Sequence, residues 1–292
     1  VTVKAVLDAD DVRELDVLRR RFVVRARAGT SGEHASRRRG GTAEFEEHRP
    51  YAPGDDLRRL DWMAFARSGD PVMKTYRATE DVTVRVLVDA SASLGAHGGE
   101  KLEDAARLAA SIGYLALTAG ERTQILRATG RGLHPGDAGR GRAAFARTLR
   151  DVEALEADGR VELAQAIDET CRRARRPGML VVLSDFFDAG PIDTALSRAA
   201  HGGHDLALVQ VLAEEDVSPT LAGDLTLTDA ETGDAIDVTL DARALEAYFA
   251  QLARLTAALR SVARRHRGVF VQHTAGSPTL PTVRRFVLRS VD

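Results

Sequence analysis

The stretch VRVLVDASASLG, residues 84–95, decides how this chain folds. Val84, Val86, Leu87 and Val88, with Val82 just ahead of them, form a run apolar enough for the middle of a sheet. The run stops at Asp89 and opens into Asp-x-Ser-x-Ser, with Ser91 and Ser93 as its other polar members. Leu102, Ala105, Ala109, Ile112 and Ala116 then share one helical face. A strand, a polar bend and a helix in that order are the opening of a βαβ unit.

The same alternation continues downstream. Residues 123–129 form a second strand, and helical segments follow near 142–152 and 162–175. Residues 179–183 are another buried strand, ending at Ser184-Asp185. A helix at Ile192, Ala195, Leu196 and Ala199 leads to a strand over 205–212. Residues 224–240 alternate on both sides of Thr232-Gly233, the pattern of a β-hairpin. A long helix follows Asp241, then the strand GVFVQH, then a last helix with Pro281 near its first turn. Strands alternating with helices predict an α/β fold: a mostly parallel sheet with helices on both faces. In such sheets ligands bind at the C-terminal strand ends, at the topological switch point. Asp89 and Asp185 each follow a strand and could face one another there.

The first 81 residues read differently. Val12, Leu15, Leu18 and Phe22 predict an amphipathic helix. Residues 25–41 are Arg- and Gly-rich and read as a loop. Residues 43–48 and 72–79 read as short strands. Between them Pro53-Gly54 signals a turn, Asp55 or Asp56 can cap a short helix, and Gly69 and Pro71 end it. The expected division is a segment over 1–81 and an α/β domain over 82–292, with the hairpin inserted at about 223–240.

Composition excludes several classes. A net charge of -2 gives no reason to expect nucleic acid or a membrane surface as partner. The Arg cluster at 37–39 lacks the interleaved aromatics of a single-strand platform. The longest apolar stretch, 108–119, is shorter than the roughly 20 residues a spanning helix needs. One cysteine, Cys171, rules out a disulfide within the chain and fits a reducing, cytoplasmic setting; its helical position suggests core filling. His201 and His204 read as two solvated histidines before a strand. No Gly-x-Ser-x-Gly, His-Glu-x-x-His or P-loop string is present.

Asp89, Ser91, Ser93 and Asp185 are hard oxygen donors that together suit Mg²⁺. The same residue types also serve as turn and cap residues at strand ends. LVDASASL resembles the start of the metal-ion-dependent adhesion site of von Willebrand factor A-type domains, and VVLSDF resembles the strand that supplies its second aspartate. Upstream, GTAEFEEHRPYAPGDDLRRLDWMAFARSGDPVMKTY resembles the signature of the bacterial DUF58 family, through Arg49, Tyr51, Gly54, Asp55, Asp56, Arg58, Asp61 and Trp62 among others. These resemblances imply a von Willebrand A-like, Rossmann-type domain. They further imply a non-enzymatic binding or adaptor protein that works with a MoxR-type AAA+ ATPase. They also imply a Mg²⁺ site at the four residues above, with one departure. Val161 stands where the adhesion site has a Thr, so any Mg²⁺ binding is expected to be weak. For the DUF58 cluster the sequence suggests internal wiring, with Asp56, Arg58 and Asp61 satisfying one another while Trp62 packs; a docking surface is the alternative. The competing functional classes are a Mg²⁺-dependent hydrolase using the same cleft, which lacks an identifiable base or nucleophile, and a structural domain with a vestigial site.

Overall fold

The structure, a computed structural model, describes residues 7–22, 43–78, 82–187, 190–219, 223–231 and 233–289. The chain divides into two compact units. The smaller lies within residues 30–81. The larger combines the N-terminal helix with everything from Val82 onward.

The N-terminal helix, α1 (Ala9–Leu18), starts on an Asp8 cap that accepts from the backbone N–H groups of Asp10 and Asp11. In the smaller unit, β1 (Ala43–Pro50) pairs antiparallel with β2 (Val72–Ala78) around α2 (Trp62–Ser68). The larger unit continues with β3 (Thr83–Asp89), α3 (Ala92–Gly95), α4 (Glu100–Thr118), β4 (Arg122–Thr129), β5 (Gly132–Pro135), β6 (Gly139–Arg140), α5 (Phe145–Glu153) and α6 (Leu163–Arg173). Then come β7 (Met179–Ser184), α7 (Ile192–His201), β8 (Asp205–Leu212), α8 (Glu214–Val217), β9 (Gly223–Thr228), β10 (Ala235–Leu240), α9 (Ala242–Arg265), β11 (Val269–Thr274) and α10 (Leu280–Arg289).

The main sheet runs β11-β8-β7-β3-β4-β5. Strands β11, β8, β7, β3 and β4 are mutually parallel, while β5 and the short β6 pair antiparallel with β4. This is the doubly wound 3-2-1-4-5-6 order with an antiparallel edge. The chain starts in the middle at β3, goes out to β4, and returns to β7 on the other side. The switch point therefore lies between β3 and β7.

The period-two side-chain alternation of the strands feeds two cores. Val84, Val86 and Val88 face one side, where α1, α4, α5 and α10 pack. Leu87 faces the other, with Leu180, Val182, Leu208 and helices α6, α7 and α9. Thus the α/β expectation holds, including the hairpin β9–β10. The division at 81 needs correction. Leu15 and Phe22 are buried in the first core, and Phe22 stacks on Phe286 of α10 at 6.3 Å, so α1 belongs to the α/β unit. The loop expected at 25–41 lies outside the described residues.

Candidate functional site

The DUF58 signature is wired in part as the sequence suggests: Asp56 pairs with Arg58, whereas Asp61 turns to His48 and to the start of α2. Arg49 donates two bonds to Asp55, at 2.7 and 2.6 Å, and the backbone N–H of Ala52 donates to the same carboxylate at 2.9 Å. Arg49 holds Asp55 well below the usual carboxylate range, at about 2. Gly54, with φ +107°, makes the turn that brings them together. The Tyr51 N–H donates to the Pro71 carbonyl, joining the two arms of the signature. Asp56 caps a 3₁₀ turn over Leu57–Arg59 and pairs with Arg58 at 3.1 Å. Asp61, rather than Asp55 or Asp56, caps α2, accepting from Met63 and Ala64 N–H, and it also meets His48 Nε2 at 2.9 Å. Gly69, left-handed at φ +75°, ends α2 as expected. The packing expected of Trp62 is overturned: its side chain is 58% exposed, beside exposed Met63.

At the other end of the chain's logic, β3 and β7 deliver Asp89 and Asp185 to adjacent strand ends. The Asp89 carboxylate accepts from the Ser91 N–H at 2.9 Å, closing a turn, and from Ser184 Oγ at 2.6 Å, bridging the switch point. Ser91 precedes α3 but makes no side-chain cap bond; its hydroxyl meets that of Ser93 at 2.9 Å. Asp185 closes a matching turn by accepting from the Phe187 N–H at 3.2 Å. Burial, then the neighbouring Asp185 charge, push the Asp89 carboxyl up to about 6, while Ser184 and Ser91 pull it back down. The two loop tips therefore do converge, as the strand-end reading requires. Asp188, a rival for Asp185, lies outside the described residues.

A third loop completes the rim. Gly159 carbonyl accepts from Ala92 N–H at 2.8 Å, and Asp158 N–H donates to the Ala90 carbonyl at 2.9 Å. A Cβ on Gly130 would lie 2.8 Å from Gly159 Cα, so this approach needs glycine there. The loop leads to Val161, which is 5% exposed and packed in the second core.

Sequence reasoning missed the cation at the centre. Lys101, on the first turn of α4, is only 3% exposed. Its Nζ donates to Asp185 Oδ2 at 2.9 Å, lies 3.6 Å from Asp216 Oδ2, and sits 5.7 Å from the centre of the Phe187 ring. Asp216, in α8, is a third acid delivered by a strand end, that of β8. The Tyr248 hydroxyl of α9 donates to the Asp216 carbonyl at 2.9 Å. The hairpin tip reaches the same edge, with Glu231 3.9 Å from Arg160.

These donors fit a magnesium ion poorly. Magnesium wants near-octahedral oxygen ligands at roughly 2.0–2.1 Å. Both Asp89 oxygens and both Asp185 oxygens already accept from protein donors, Val161 offers no oxygen, and an ammonium is seated against Asp185. Among the described residues no three His, Cys, Asp or Glu side chains cluster as metal ligands.

Two other buried polar groups serve the fold. His273 bridges Asp104 Oδ2 at 2.9 Å and Thr282 Oγ1 at 3.0 Å, the connectivity of an acid, a base and a nucleophile. All three are buried, and Arg285 donates to the Thr282 hydroxyl, so the trio ties α4, β11 and α10 together. His204 was expected to be solvated beside His201. It is instead buried at 4% exposure, while His201 is exposed. Burial, aided by the Arg85 charge, lowers its pKa to about 4. The unfolded chain takes up a proton below about 6.5 that the fold refuses until about 4, so stability is lost as pH falls through that window. The expected loss is at most about 3 kcal/mol. Asp89 has the opposite slope, so the check is the difference between wild type and His204→Gln in urea midpoints at neutral and acid pH. Cys171 is half-buried, with its thiol pushed up to about 11 by burial, which keeps it unreactive near neutral pH.

A doubly wound sheet whose switch-point crevice opens with Asp-x-Ser-x-Ser is the arrangement of a von Willebrand A-like domain. Here it is joined to the wired signature around Arg49 and Asp55. The chain belongs to the DUF58 family, described as a protein of unknown function, whose family model matches residues 47–258. It is 34% identical over 273 residues to the uncharacterized proteins Rv1480 of Mycobacterium tuberculosis and Mb1516 of Mycobacterium bovis, covering 83% of this chain and 86% of each relative. Solved structures similar to it include BatB from Bacteroides thetaiotaomicron, with TM-score 0.47, 14% identity, and coverage of 72% of this chain and 98% of that one. Another is a von Willebrand factor type A protein from Catenulispora acidiphila, with TM-score 0.45, 14% identity, and coverage of 75% and 44%. No helix among the described residues is long and apolar enough to cross a membrane.

Proposed function

We propose that this protein is a non-enzymatic adaptor that docks a protein partner on the C-terminal edge of its main sheet. The observation that carries the reading is the contrast between the centre of that edge and its rim. Asp89, Lys101 and Asp185 are sealed from solvent, so none is poised to attack a substrate. Around them Phe187, Val217, Tyr248 and Phe249 stand exposed. Aromatic anchors around a desolvated charged centre suit a protein interface. On the smaller unit, Trp62 and Met63 of α2 also stand exposed.

The partner that the family resemblance points to is a MoxR-type AAA+ ATPase, with this chain recruiting a client or assisting assembly in the cytoplasm. The test is recovery of a co-encoded ATPase of that class by the full chain. Phe187→Ser and Phe249→Ser together remove two anchors, and the expected loss of affinity is tenfold or more, since each interface anchor is worth roughly 1–2 kcal/mol or more. Equal recovery of wild type and the double variant would place docking elsewhere. Turnover of a phosphoester or peptide panel that vanishes in Asp89→Ala would replace the adaptor reading with the hydrolase one.

A further inference from the structure

We infer that the Lys101 ammonium, seated between Asp185 and Asp216, supplies the positive charge of this strand-end edge, so that this von Willebrand A-like site works without a divalent metal. Four observations agree. The ammonium from α4 lies between carboxylates brought by β7 and α8, at 2.9 and 3.6 Å. The Phe187 ring lies beside it at 5.7 Å, a further surface that favours a cation. Val161 presents methyl groups, not a hydroxyl, to the neighbouring core. The fourth is the residue type. Lysine occurs only at 4, 74 and 101 among 41 basic residues, the rest being arginine. A compact point charge on a flexible stem fits an ion-sized gap between carboxylates, whereas a planar guanidinium does not.

Gly98 and Gly99 direct the side chain. Their left-handed φ values, +79° and +87°, turn the chain sharply after α3 and start α4 directly behind the Asp-x-Ser-x-Ser loop. Lys101, the second residue of α4, is thereby aimed at the strand ends. A divalent ion that used Asp185 Oδ2 would meet this like charge and would have to displace the ammonium from it. If the docking proposal above is right, the partner meets an edge whose buried charges are already paired within the chain and needs no bridging metal. The ammonium assignment itself does not depend on any partner.

The experiment uses the full chain and two readouts that need no activity. Lysine acetylation followed by mass spectrometry is run in EDTA, in Mg²⁺ and in Mn²⁺, with a denatured control for Lys101. Mn²⁺ binding is followed by electron paramagnetic resonance. The expected result is a Lys101 at least tenfold less reactive than in the denatured control under all three conditions, with no stoichiometric Mn²⁺ bound. Lys101→Ser opens the position and should bind Mn²⁺ at least tenfold more tightly than wild type. Lys101 that is reactive in EDTA, or becomes reactive as Mn²⁺ binds, overturns the inference. So does a Lys101→Ser protein that is folded by circular dichroism yet binds Mn²⁺ no better. The wild-type measurements stand even if that variant fails to fold, and a failed ATPase pull-down leaves them unaffected.

Discussion

Lys101→Met should destabilise the protein by about 3–5 kcal/mol, the usual effect of leaving buried charges without their partner. Methionine keeps the length and apolar stem of the side chain, so packing changes little. What disappears is the cation facing Asp185 and Asp216. A competing effect has the opposite sign. A positive charge on the first turn of α4 opposes the helix dipole, and removing it returns about 0.3–1 kcal/mol. The carboxylates therefore dominate. A second variant separates charge from shape. Adding Asp185→Asn to Lys101→Met removes one stranded charge, and the double variant should be more stable than Lys101→Met alone, with a coupling of about 1–3 kcal/mol. Urea unfolding at neutral pH measures both. A Lys101→Met protein as stable as wild type would mean that the ammonium is not buried against these acids.

Phe186→Ala should be about as costly, at about 3–5 kcal/mol, and its companion variant reverses a familiar rule. Phe186 is fully buried in the second core, directly after Asp185. Its backbone is left-handed at φ +62°, and its N–H donates to Ser184 Oγ at 2.9 Å. Two terms are therefore superposed. Loss of the ring leaves a cavity at a cost of about 3–5 kcal/mol. The left-handed backbone costs any residue with a Cβ about 1–2 kcal/mol, and only glycine escapes it. Phe186→Gly should thus be more stable than Phe186→Ala by about 1 kcal/mol, although glycine is ordinarily the less stable of the two. Both variants release the loop that holds Asp185 towards Lys101. If the glycine variant is the weaker by about 1 kcal/mol, the backbone there is not left-handed.

Much of this molecule was legible in its residues, for physical reasons that differ by element. The strands β3 and β7 announce themselves because both faces are buried, and a continuous apolar run has few other uses. The hairpin β9–β10 declares itself by alternation about a turn. The convergence of Asp89 and Asp185 follows from doubly wound topology, which places adjacent parallel strand ends at one edge.

What was hidden is equally instructive. Lys101 reads as a polar residue at a helix start, and only the third dimension reveals acids from two strand ends, those of β7 and β8, meeting it. Its rarity among arginines was the available signal. Asp216 could have been found by applying the strand-end rule to β8 as well. Ser184 sits beside Asp185 in sequence and is overlooked because a serine inside a buried run looks like filler. The misplacement of α1 has a topological cause, since sequence adjacency to the signature segment says nothing about which core accepts Leu15 and Phe22. His204 was misread because glycines before it suggested a solvated loop, whereas the strand it enters is central. Trp62 was expected inside by residue type, yet α2 turns it outwards.

The central claim is that the strand-end edge holds an ammonium against Asp185 and Asp216, not a metal. Crystals grown with Mn²⁺ and measured at the manganese absorption edge test it most directly. The prediction is Lys101 Nζ within hydrogen-bonding distance of Asp185 and no anomalous peak in the crevice between β3 and β7. A manganese peak ligated by Asp89, Ser91 and Ser93, with Lys101 turned out to solvent, would contradict it.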